Sequence, residues 1–152
     1  MQVNVDDIKK LRKKTGAGIA DCRKALAAAG GDFKGAEELL KSWGAKIVAK
    51  KAERAVGAGL VETYIHGGGK VGAIVEVNCE TDFVTKTDEF KNLAHDLAMQ
   101  ICAMDPKDVA ELLGQDYIRD SAKKIDDFVK EIIVKVGENI QIKRFMRYEL
   151  GG

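Results

Sequence analysis

Leu60-Val61-Glu62-Thr63-Tyr64-Ile65, then Gly67-Gly68-Gly69-Lys70, then Val71-Gly72-Ala73-Ile74-Val75-Glu76-Val77 is the stretch that decides the fold. The apolar period here drops from about 3.6 residues to about 2. Two alternating segments rich in β-branched residues around a glycine turn predict an antiparallel β-hairpin. Gly67 to Gly69 read as that turn and not as a phosphate cradle, which would lie between a strand and a helix and end in Lys-Ser/Thr.

Downstream, Val77-Asn78-Cys79-Glu80-Thr81-Asp82-Phe83-Val84 ends the strand with an acid and an aromatic just before a helix. Taken alone, Phe83 either tucks into the core or stands out as a tip that reaches a partner. Thr87 is the N-cap of a helix whose stripe Phe90, Leu93, Ala94, Leu97, Ala98, Ile101 and Cys102 must pack on the hairpin, until Pro106 stops it. A second helix is expected through Ala122, Ile125, Val129, Ile132, Ile133 and Val136, stopping at Gly137, with a shorter one near Val109 to Leu113. Asn139 to Leu150 alternates as a third strand, with Ile140, Ile142, Met146, Tyr148 and Leu150 on one face and Gln141, Lys143, Phe145, Arg147 and Glu149 on the other. This half is α+β, a small antiparallel sheet covered on one side by helices. Such a sheet leaves an open face or edge that calls for a partner or a second copy, unless Lys143, Arg144 and Arg147 blunt it.

Upstream the period is helical. Asn4 caps a helix with Asp6 and Asp7 in its first turn, Val5, Ile8 and Leu11 on its stripe and Gly16 as its stop. Ile19, Cys22, Ala25, Leu26 and Ala29 mark a second helix ended by Gly30-Gly31, and Asp32 caps a third carrying Ala36, Leu39, Leu40, Trp43 and Ile47. The expected organisation is a three-helix domain over 1–50, a linker over 51–58 and an α+β core over 59–152.

The chain has 152 residues, 45% hydrophobic and 32% charged, with net charge +1, enough for a small domain beside a medium one. No apolar run is long enough to span a bilayer, and Met1 to Asp7 lacks the basic and apolar regions of a secretory signal, so a soluble, cytoplasmic protein is expected. Cys22, Cys79 and Cys102 are odd in number and widely spaced, which suits buried thiols in a reducing compartment. His66 and His95 have no companions at metal-ligand spacing. Residues 1–55 hold 13 basic and 7 acidic residues, but without interleaved aromatics to stack on bases, which makes nucleic-acid binding a lesser reading. No Ser/His/Asp, Cys/His, metal-ligand or paired-carboxylate constellation stands out. The expectation is a protein-binding protein that is not an enzyme, with no cofactor or metal.

Three ordered motifs carry a resemblance. Leu11-Arg12, Thr15-Gly16-Ala17-Gly18, Asp21-Cys22 and Gly31-Asp32 form the first; Val75 through Val84 the second; Val136-Gly137-Glu138-Asn139-Ile140 with Arg144-Phe145 the third. Nearly end to end, the chain resembles the elongation factor Ts family of guanine-nucleotide exchange factors. The resemblance implies that the first domain is similar to ubiquitin-associated (UBA) domains. It also implies that elongation factor Tu is the partner, engaged without nucleic acid or membrane. Thr81, Asp82, Phe83 and Val84 match the segment that disturbs the partner's magnesium site, with Phe83 as a wedge. Arg12, Ile19 and Ala20 fall where the family's first domain touches the GTPase domain, and Val136 falls at a contact of the core. The family usually has methionines in place of Ile19 and Ala20, which implies a weaker or differently shaped contact there. The longest members carry two core subdomains and a helical hairpin insertion, for which this chain has no room, so a homodimer paired through the sheet is implied. Two other classes stay open on the residues: an adaptor without exchange activity, and a ribosome- or RNA-associated factor.

Overall fold

A computed structural model describes residues 2–152 and divides the chain into two compact units, Met1–Lys50 and Lys51–Gly152. The fold is α+β, as the change of period predicts.

The first unit is built from α1 (Val5–Thr15), α2 (Ile19–Ala28) and α3 (Phe33–Lys51), the last ending one residue into the second unit. Each boundary has a local cause. Asn4 Oδ1 accepts the Asp6 N–H at 2.9 Å, and Gly16, in the left-handed region at φ 73°, donates its N–H to Arg12 O at 2.7 Å. Gly31 donates back to Leu26 O at 2.8 Å, and Asp32 Oδ2 accepts the Gly35 N–H at 2.9 Å to open α3. Ile8, Leu11, Cys22, Ala25, Leu26 and Ala36 form the buried core, with Phe33, Leu39, Leu40 and Trp43 packed partly buried against it. The seam is narrower than the expected stripes: Val5, Ile19 and Ile47 are exposed.

In the second unit, β1 (Ala58–Ile65), β2 (Val71–Cys79) and β5 (Ile140–Glu149) form an antiparallel sheet in the order β1-β2-β5. Between β2 and β5 lie α4 (Asp82–Thr85), α5 (Asp88–Met104), α6 (Val109–Gly114), a small hairpin of β3 (Asp116–Tyr117) and β4 (Asp120–Lys124), and α7 (Ile125–Val136). Thr87 Oγ1 accepts the Phe90 N–H at 3.3 Å to open α5, and all seven residues of the predicted stripe are buried. They pack on β1 and β2, whose Ala73, Val75, Val77 and Cys79 are buried beneath them. Gly59 is required where β1 crosses β2, since a Cβ there would collide with Val77 O.

Two expectations are corrected. Unbroken alternation of the last strand fails at a bulge: Glu76 pairs with Arg144 but Val77 with Ile142, leaving Lys143 as the extra residue. Beyond it the faces exchange, so Ile140, Ile142, Phe145 and Arg147 turn toward the helices while Met146, Tyr148 and Leu150 are exposed. Arg147 does not blunt an edge; its Nε donates to Cys102 O at 3.0 Å, at the negative end of α5. The second correction concerns Ala122, which lies in β4 and not in the helix. Gln100, fully buried on α5, explains the hairpin: its Nε2 donates to Gln115 Oε1 at 3.2 Å and Asp116 O at 3.0 Å, and its Oε1 accepts the Ile118 N–H at 3.0 Å. The Tyr117 hydroxyl donates to buried Asp96, and its ring stacks on Phe128 with centroids 4.4 Å apart. Burial, then Asp96, holds the Tyr117 hydroxyl pKa well above its usual value.

Phe90, with no exposed surface beneath α5, sets a test of this core. Phe90→Ala is expected to cost about 3–5 kcal/mol of stability. It should lower the urea midpoint at an unchanged slope.

Candidate functional site

The tip is built where β2 hands the chain to α5. Cys79 is the last buried residue of the strand, and its Sγ lies 3.3 Å from Thr81 O. Thr81 is extended at φ −132° and ψ 156°, after which Asp82–Thr85 make one helical turn. Thr85 Oγ1 donates to Asp82 O at 2.6 Å, and Thr87 Oγ1 to Val84 O at 2.7 Å, fastening the turn to the start of α5. Thr81 is half-buried and Val84 only 7% exposed, so both face inward. Asp82 is exposed, and Phe83 is 84% exposed, whereas Phe33, Phe90, Phe128 and Phe145 are buried or half-buried. Phe83 therefore does not tuck into the core; its ring stands in water on a turn whose neighbours are held.

The corner is anchored from across the unit. The carboxylate of Glu138, just after α7, accepts the N–H groups of Glu80 at 3.1 Å and Thr81 at 2.9 Å on Oε1, and the Thr81 hydroxyl at 2.6 Å on Oε2. Its neighbours hold the chain that leads into the sheet: Lys51 Nζ donates to Gly137 O at 2.8 Å, and buried Asn139 Nδ2 to Ala52 O at 3.3 Å and Arg54 O at 3.0 Å. Residues 51, 52 and 54 of the expected linker are thus tied to the core. Val136, half-buried at the end of α7, sits two residues before Glu138 on this same segment. Sequence reasoning missed Glu138, Asn139 and Lys51 as anchors. The available signal was the polar Glu138-Asn139 pair between the helix stop Gly137 and the buried strand start Ile140.

The first unit carries a separate surface. Arg12, Ile19 and Ala20 line one open groove between α1 and α2, together with Val5, Lys9, Arg23 and Lys24. Ile19 is 57% exposed there. The second unit has another open surface, the uncovered sheet face, where Val61, Ile65, Ile74, Met146, Tyr148 and Leu150 are exposed. It is crossed by the Arg144–Glu76 ion pair at 2.9 Å, and Arg144, then Asn78, lowers the Glu76 carboxyl below its usual pKa. Among the described residues no group of three or more His, Cys, Asp or Glu is placed to hold a metal ion, and no helix is long and apolar enough to cross a membrane.

Comparison with known proteins gives these surfaces a context. The family model described as Elongation factor TS matches residues 80–152, from the corner of the tip to the end of the chain. The chain is 41% identical to elongation factor Ts of Thermotoga petrophila, over 99% of this chain and 98% of that protein. It is 38% identical to the protein of the same name from Desulforamulus reducens, over 99% and 90%, and 40% to that of Anaeromyxobacter sp., over 99% and 89%. The first of these alignments runs over 194 positions against 152 residues here, so that relative carries internal residues with no counterpart in this chain.

Burial, and after it the nearby Glu138 carboxylate, pushes the Cys79 thiol up to about 11, so it stays protonated at neutral pH. Cys22 and Cys102 are buried too. A thiol reagent at pH 8 is expected to label none of the three quickly in the folded protein and all three in urea. Rapid labelling of Cys79 without denaturant, identified with Cys79→Ser, would contradict the packed corner.

Proposed function

The chain belongs to the elongation factor Ts family, and we propose that it accelerates guanine-nucleotide release from elongation factor Tu. Family membership makes it a translation elongation factor; the exchange step is the finer reading. The observation that carries it is Phe83, a large apolar side chain left 84% exposed on a fastened turn beside exposed Asp82. We assign contact with the partner's GTPase domain to Asp82 and Phe83, and the shaping of the tip to inward-facing Thr81 and Val84. The first unit, similar to a UBA domain, would dock through Arg12, Ile19 and Ala20, and the core through Val136. Ile19 offers an exposed branched side chain there, while Ala20 adds little area.

Exchange of this kind needs no catalytic group. The factor has only to bind the nucleotide-free partner more tightly than the nucleotide-bound one, and the coupling is reciprocal. Burying the Phe83 ring makes roughly 1.5–3 kcal/mol available. Each 1.4 kcal/mol directed against magnesium or phosphate contacts weakens nucleotide binding about tenfold. A single ring therefore supplies part of the effect, and the other contacts must supply the rest.

The uncovered sheet face supports a homodimer. Six exposed apolar residues on one face, beside two strand edges, form the kind of patch that marks an interface. We propose that a second copy covers it, each dimer engaging two molecules of elongation factor Tu in the cytoplasm.

Two measurements test these readings. Release of a fluorescent GDP analogue from elongation factor Tu is expected to accelerate when this protein is added, and Phe83→Ala should reduce the acceleration by about 10- to 100-fold. No acceleration by the unmutated chain would leave the adaptor reading in its place. Light scattering at micromolar concentration is expected to give the mass of two chains, and Tyr148→Asp that of one. A single-chain mass for the unmutated protein would remove the dimer.

A further inference from the structure

We infer that Glu138 is a positioning residue for exchange, acting through the tip. This inference rests on the exchange reading above and adds to it a residue to which that reading gives no contact with the partner. Three observations carry it. The Glu138 carboxylate gathers the Glu80 N–H, the Thr81 N–H and the Thr81 hydroxyl, at 3.1, 2.9 and 2.6 Å, from a position 57 to 58 residues away in sequence. Among the described residues no other side chain accepts these two N–H groups, so the strand side of the corner is held through this one carboxylate.

Thr81 also occupies the N-cap position of α4 yet makes no cap hydrogen bond with its side chain. At Thr87, the N-cap of α5, the hydroxyl does accept a helix N–H, at 3.3 Å. The Thr81 hydroxyl is thus engaged outward, as a donor to Glu138, and adds nothing to the hold on its own turn. A four-residue helix without a side-chain cap has little stability of its own. Its direction comes from its two fastened ends, Glu138 before it and the Thr87 hydroxyl after it.

The segment bearing Glu138 is itself fixed. Gly137, at φ 75°, turns the chain out of α7, and buried Asn139 is tied to Ala52 O and Arg54 O. The carboxylate thus transmits the position of α7 and β5 to the strand end that carries Phe83. Without it, Glu80 and Thr81 turn to water for partners and the tip samples several directions. An interaction that requires one direction then loses affinity by the fraction of time spent in the others.

The expected signature is a loss that depends on Phe83. Glu138→Ala should lower the maximal acceleration of GDP release about tenfold, the equivalent of one charge-assisted hydrogen bond, and Glu138→Gln, which keeps a carbonyl for both N–H groups, should restore most of it. In a Phe83→Ala background, Glu138→Ala should change the rate by less than about twofold, because coupled residues are not additive. Amide hydrogen exchange of the unmutated chain and Glu138→Ala, without any partner, should differ at Glu80 to Val84 and not along β2 or α5. Equal losses in both backgrounds, or faster exchange throughout the core, would overturn the inference and reduce Glu138 to a general stabiliser. If the unmutated chain does not accelerate release, the exchange reading and the role inferred from it fall together. Amide exchange then still reports whether Glu138 fixes the tip.

Discussion

The apolar stripe of α5 has to leave water, and one face of a three-stranded sheet is what it has to leave water against. Phe90, Leu93, Leu97 and Ile101 have no exposed surface, nor do Val75, Val77 and Cys79 beneath them. This packing fixes the direction in which the chain must turn between β2 and α5, because both ends of the corner lie in the same buried layer. The tip follows from it. Eight residues separate buried Cys79 from the first full turn of α5, and within them Val84 and Thr85 are drawn inward while Asp82 and Phe83 are left outside. An exposed aromatic here is a geometric consequence of a short connection between two elements that cannot move apart.

The same layer explains the bulge in β5. Without Lys143 as an extra residue, strict alternation from Ile140 and Ile142 would bring Met146 and Tyr148 beneath the helices and send Phe145 and Arg147 outward. With it, Phe145 packs inward and Arg147 reaches the Cys102 carbonyl in the last turn of α5, where a cation is favoured by the helix dipole. The cost is an open face that carries Met146, Tyr148 and Leu150 beside Ile65 and Ile74. One residue inserted in one strand therefore both closes the end of the core and concentrates the apolar surface that a second copy is proposed to cover.

What was legible in the sequence is what is governed locally. Asn4, Gly16, Asp32, Thr87 and Gly137 act on backbone groups within four residues of themselves, and each marks the boundary it predicts. The α5 stripe is long and regular enough to be read without knowing its partner. What was not legible depends on residues distant in the chain. The β3–β4 hairpin has few residues and no alternating pattern, and its shape comes from Gln100 and Asp96 on another element. The bulge leaves no mark in β5 itself, because Lys143 and Arg144 both suit an exposed strand. At the tip the sequence located Phe83 but not the carboxylate that holds its corner, since nothing near Glu80 or Thr81 points to a residue 57 positions later.

An exposed aromatic is useful for coupling to another protein only if its direction is settled before contact. A freely moving side chain and backbone lose conformational freedom on binding, and that loss subtracts from the energy available to weaken nucleotide contacts. Phe83 keeps two side-chain torsions, few for so large a surface, and the backbone beneath it is bonded at both ends by Glu138 and Thr87. The ordering has largely been done within the fold, by the burial of α5 and by one carboxylate carried on the segment between α7 and β5. On the proposed reading, most of the energy of burying the ring is then free to act on the partner, and the stability of the core becomes a determinant of exchange.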